Sequence, residues 1–132
     1  MIYFSLGAKS QNLLSRSEDD IKIYFSKLGV DYKEKMYDKN GSPIMHFSYS
    51  TISARIDGLI ASYYLLDENN ICTSVFMLYD DTKFLEGVVN QFKNDTSIER
   101  IPNSFSWAKK DGSYRVKITP NDNGTFVVAY SK

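Results

Sequence analysis

Four polar turn signals punctuate this chain: Lys39-Asn40-Gly41-Ser42, Asp67-Glu68-Asn69-Asn70, Lys110-Asp111-Gly112-Ser113 and Asn121-Asp122-Asn123-Gly124. Each lies between runs rich in Val, Ile, Thr, Tyr and Phe, the side chains that fill a pleated, half-buried surface. Asn-Gly and Asp-Gly favour tight reversals because a two-residue type I′ turn needs positive φ at both central positions. At least four hairpins are therefore expected, and a chain so divided has to be built mainly on antiparallel sheet. The aromatic share of 14%, with ten Tyr and eight Phe, leans the same way.

Two amphipathic helices are legible around these strands. Ser17 with Asp20 three residues on resembles a capping box, and Glu18, Asp19 and Asp20 suit the positive end of a helix dipole. Ile21, Tyr24, Phe25 and Leu28 then recur at helical spacing, and Gly29 supplies the stop. The second helix follows Asp80 or Asp81 as cap, with Leu85, Val88, Val89 and Phe92 repeating the stripe. Gly87 inside it is unfavourable by about 1 kcal/mol relative to Ala.

Turn geometry assigns faces. If Asp111-Gly112 closes a two-residue turn, Lys109 meets Tyr114, Trp107 meets Val116 and Phe105 meets Ile118 on one side. Ala108 with Arg115 and Ser106 with Lys117 take the other. If Asn40-Gly41 closes in the same way, Met36 meets Met45, Glu34 meets Phe47 and Tyr32 meets Tyr49. Lys35 with His46 and Lys33 with Ser48 then lie opposite. Each hairpin would have an apolar face for the helices and a polar, basic face for solvent or a partner.

The order expected is α-β-β-β-β-α-β-β-β: an α+β fold with a mainly antiparallel sheet of six to seven strands and two helices packed on one face. Two sequence echoes suggest a weak internal duplication. KEKMYDKNGSPIMHFSYS resembles NSFSWAKKDGSYRVKITP, and SYYLLDENNICTSVFMLY resembles SYRVKITPNDNGTFVVAYS. The arrangement resembles, in architecture alone, duplicated helix-plus-sheet folds such as the TATA-binding-protein-like class. That resemblance covers no motif and carries over no DNA-contacting residue.

Length and charge bound the function. A chain of 132 residues suits one domain, assigned to residues 17–132. Sixteen basic and sixteen acidic residues leave no net field to gather nucleic acid or an anionic membrane, and no apolar run is long enough to span a bilayer. At the start, Ile2 to Leu6 followed by Ala8-Lys9-Ser10 matches the end of a signal peptide, with Gln11 as the new terminus. Residues 1–10 are thus expected as a signal-peptide remnant, 11–16 as a linker, and the protein as exported to the periplasm, envelope or extracellular space. The bland reading of the same stretch is an edge strand or a core contact.

Most catalytic chemistry lacks an entry point. The single cysteine, Cys72, excludes an intramolecular disulfide and every CxxC motif, and its place on a β-type run marks it as a packed core residue. No G-x-S-x-G elbow, Gly-rich phosphate loop or HExxH occurs. A calcium loop with Gly124 at its sixth position would need chelating carboxylates at Thr119 and Tyr130, its first and twelfth, and it fails. Asp19-Asp20 and Asp80-Asp81 sit where helix caps want them, and Asn123 of one Asn-x-Thr sequon is explained by turn chemistry. No catalytic residue, metal ligand or cofactor is assigned.

One constellation is left. Lys33, Lys35, His46, Arg115 and Lys117 fall on the expected polar faces of two echoing hairpins, where they would present a basic surface to an acidic protein, peptide or ligand. The reading that follows is a small exported, non-catalytic binding module using an open sheet face. The alternatives are a small enzyme drawing carboxylates or hydroxyls from separate strands, and a structural or homo-oligomeric component, which a large apolar contact between chains would reveal.

Overall fold

The computed structural model describes residues 10–30, 32–48 and 58–132, and within these the side chains of Ser10, Gln11 and Lys33 are left out of account. The expectation for residues 1–9 lies outside the described residues, as does the pairing proposed for Tyr49. No helix among the described residues is long and apolar enough to cross a membrane.

Helix α1 (Glu18–Lys27) begins as its sequence dictates: Ser17 caps it, its hydroxyl accepting the Asp20 N–H at 3.1 Å. It ends at Gly29, whose φ of +71° lets the Gly29 and Val30 N–H groups close back on the last carbonyls of the helix, those of Ser26 and Phe25. Helix α2 (Leu85–Asn94) is preceded by a 3-10 turn (Thr82–Phe84), and it is this turn that Asp81 caps, accepting the Lys83 N–H at 2.8 Å.

Among the described residues eight strands form one antiparallel sheet: β1 (Tyr32–Tyr37), β2 (Pro43–Ser48), β3 (Leu59–Leu66), β4 (Cys72–Tyr79), β5 (Ile98–Arg100), β6 (Ser106–Lys109), β7 (Arg115–Pro120) and β8 (Phe126–Ser131). Their spatial order is β1-β2-β3-β4-β8-β7-β6-β5. The α+β class with an antiparallel sheet and two helices therefore stands, while the strand count of six to seven is corrected to eight. The strand absent from the sequence reading is β5, whose Ile-Glu-Arg is too short to show any alternation.

Element order repeats as helix plus four strands in each half, and the halves join along β4 and β8. The echo between β3–β4 and β7–β8 matches equivalent inner hairpins. The echo between β1–β2 and β6–β7 is one strand out of step, because the outer pair of the second half is β5–β6.

Both helices cover one face. Phe25 of α1 stacks on Phe47 at 4.0 Å between ring centroids and tilts against Tyr64 at 5.4 Å. Phe92 of α2 meets Trp107 at 5.1 Å and Tyr130 at 6.3 Å. Tyr64, Val75, Tyr130, Val116 and Trp107 are successive partners across the sheet, so the two helices share this side. The stretch 11–16, expected as a linker, is docked: Leu13 is buried in the core, Ser15 N–H donates to the Cys72 carbonyl and Cys72 N–H to that of Arg16, each at 2.8 Å. Cys72 is wholly buried, and burial pushes its thiol up to about 12, so it is packed rather than reactive.

The hairpin of β6 and β7 has the predicted register, pairing Trp107 with Val116, Ala108 with Arg115 and Ser106 with Lys117; that of β1 and β2 is different. Asp38 N–H bonds the Ser42 carbonyl at 3.0 Å across Lys39, Asn40 and Gly41, and Gly41 N–H returns to the Asp38 carbonyl at 3.0 Å. This is a three-residue loop, a type I turn followed by a left-handed glycine, and the Asp38 carboxylate holds it by accepting N–H groups from Asn40 and Ser42 at 2.8 and 2.9 Å. The odd loop length shifts β1 by one residue, pairing Lys35 with Met45 and Glu34 with His46. A register shift between Tyr32 and Glu34 then returns Tyr32 to the helix side opposite Phe47.

Candidate binding site on the open sheet face

On the face away from the helices, the pairing registers line outward side chains into rows across the sheet. One row runs Glu34, His46, Tyr63, Phe76, Ala129, Lys117, Ser106. The next runs Met36, Ile44, Leu65, Ser74, Ser131, Arg115, Ala108, Glu99. Neighbours within a row stand about 4.8 Å apart and the rows about 6.7 Å apart, the strand spacing and twice the rise per residue.

These rows contain the reason for a groove. The outward residues at the middle of the sheet, Ala129 and Ser131 on β8 and Ser74 on β4, are small, while Arg115 and Lys117 on β7 and Phe76 on β4 are large. A trough of about 330 Å³ results, half enclosed, bordered by the two cations on one flank and Phe76 on the other, with Ser106 and Ile101 at its rim. Among the described residues no carboxylate, histidine or cysteine lines it.

Arg115 and Lys117 are exposed, and among the described residues neither has a carboxylate within ion-pair distance. Two other cations of the second half are held by the fold instead. Arg100 Nε donates to the Ser104 carbonyl at 3.0 Å, and Lys109 Nζ donates to Ser97 Oγ at 3.0 Å. Glu99 shares the Arg115 row but lies on β5, beyond Ala108.

The five residues singled out from the sequence do not form one surface. Arg115 and Lys117 stand together as expected. His46 is on the same face but four strands away, about 19 Å, where it stacks on Tyr63 at 4.7 Å with Nδ1 3.9 Å from the Glu34 carboxylate. Lys35 is turned to the helix side by the loop at Asp38, and its Nζ lies 2.6 Å from Glu18 Oε1. The hydrogen bond from Lys35 holds the Glu18 carboxyl below its ordinary value and raises Lys35 in turn, while Lys22 at 3.4 Å adds to the pull on Glu18. Lys33 falls at the register shift of β1, and its side chain is outside the described residues.

Ser74, Phe76, Ala129 and Ser131 were not singled out from the sequence. Their alternation marks them as one face of two strands, but only the adjacency of β4 and β8 puts them beside β7. No three His, Cys, Asp or Glu side chains gather as metal ligands among the described residues.

No family model matches the chain, and no curated protein or solved structure matches it.

Proposed function

We propose that the chain is a small, non-catalytic recognition module that holds an acidic protein or peptide against its open sheet face, with Arg115 and Lys117 as the anchoring cations. The observation that carries this reading is the pair of cations, without carboxylate partners among the described residues, at the flank of a trough whose other flank is aromatic. Charge-assisted contacts next to apolar surface give both steering and adhesion to a partner of opposite charge. The hydroxyls of Ser74, Ser106 and Ser131 line the trough without a neighbouring carboxylate or histidine, a composition suited to holding polar groups rather than to moving protons. Export is proposed on the sequence alone, from the apolar stretch Ile2 to Leu6 and the small residues after it.

Fluorescein-labelled poly-glutamate tests the reading by anisotropy at low and moderate salt. The wild-type chain binds with an affinity that falls as salt rises, and Arg115→Glu with Lys117→Glu abolishes binding. Lys35→Glu, on the opposite face, leaves it unchanged. Equal binding by the wild type and the Arg115/Lys117 double variant would remove the assignment.

A further inference from the structure

Resting on that open-face reading, we infer that the trough accepts an extended peptide segment in which acidic and apolar residues alternate, lying along β8. Arg115 and Lys117 are two residues apart on one strand, so their stems rise about 6.7 Å from each other, and side chains on one side of any extended peptide recur at that same interval. Acidic residues at positions i and i+2 therefore meet both cations in register. The residue between them points the other way, towards Phe76, which stands in the Lys117 row on β4.

The floor suits a backbone. Ala129 and Ser131 leave room for the chain to approach, and the Ser74 and Ser131 hydroxyls face its N–H and C=O groups. A helical peptide fits this shape poorly, since its diameter of about 10 Å spans two strand spacings and its side chains recur at three and four residues instead of two. A small free anion would engage the cations and leave Phe76 without a partner.

The test compares two labelled hexapeptides of one composition, acetyl-Glu-Leu-Glu-Leu-Glu-Leu-amide and acetyl-Glu-Glu-Glu-Leu-Leu-Leu-amide, by anisotropy with the full chain. The alternating peptide is expected to bind roughly tenfold or more tightly than the block peptide, whose first and third glutamates still reach both cations but whose second turns a charge instead of a leucine against Phe76. Arg115→Glu with Lys117→Glu abolishes this preference, and so does Ala129→Phe, which fills the trough and leaves both charges in place. Circular dichroism checks that each variant is folded, and the two-peptide comparison on the wild type needs no variant. Equal binding of the two peptides, both lost in the double charge variant, overturns the alternation and leaves the open-face reading standing. Undiminished binding by the double charge variant overturns both.

Discussion

Lys35 and Arg115 carry the same charge on strands of one sheet and end on opposite faces. What separates them is the loop each strand follows or precedes. The Asp38 carboxylate stabilises an odd-length loop, so Lys35 faces α1 and bonds Glu18 at 2.6 Å. Arg115 follows a loop of even parity and faces outward. Glu18, held below its ordinary value of 4.5 by the Lys35 hydrogen bond, contributes stability that is fully present above the unfolded-state value and lost as pH falls through the lower folded-state value. Glu18→Gln is accordingly expected to lower the melting temperature at neutral pH, and the gap from the wild type should narrow as the pH falls below the ordinary carboxylate range. Melting curves across that range check it; a gap that stays constant would show that Lys35 and Lys22 do not hold the carboxylate.

At the scale of elements, one device recurs. Asp67 N–H bonds the Ile71 carbonyl at 2.9 Å, and the Asp67 carboxylate accepts N–H groups from Asn69 and Ile71 at 2.8 and 3.0 Å, the same arrangement as at Asp38. Asn70 takes the left-handed place there with φ +61°, and Gly124 does so between β7 and β8. Asp67→Ala leaves two loop N–H groups without that acceptor and should destabilise the chain by about 1–2 kcal/mol, measurable by urea unfolding. The aspartate two or three residues before Asn-Gly is thus part of the turn signal, and reading Asn40-Gly41 alone led to the wrong register for β1. The second hairpin was legible because loops of two and four residues place the strands identically.

Across the whole molecule, the two halves share one continuous sheet and one core. Met77, fully buried on β4, faces Val128 of β8 across the seam, and each half's helix covers the same side. Met77→Ala should cost about 2–5 kcal/mol, and unfolding should be a single transition with coincident far-ultraviolet dichroism and tyrosine fluorescence. Separate transitions for the two halves would contradict a common core. The candidate site also belongs to this scale: its cations come from β7, its floor from β8 and β4, and its apolar flank from β4, residues far apart along the chain.

The Ser17 cap, most of both helix stripes, the inward residues of β6 and β7, the burial of Cys72 and the antiparallel class were readable from the amino acids, because capping, periodicity and β-propensity are local forces acting within a few residues; the cap at Asp81 was not, since it serves the 3-10 turn ahead of α2. The pairing of β4 with β8, the short strand β5, the face taken by Lys35 and the assembly of the trough were decided by tertiary structure. Strand order depends on which apolar surfaces cover one another, and a one-residue change in loop length reverses a strand's two sides without altering its pattern.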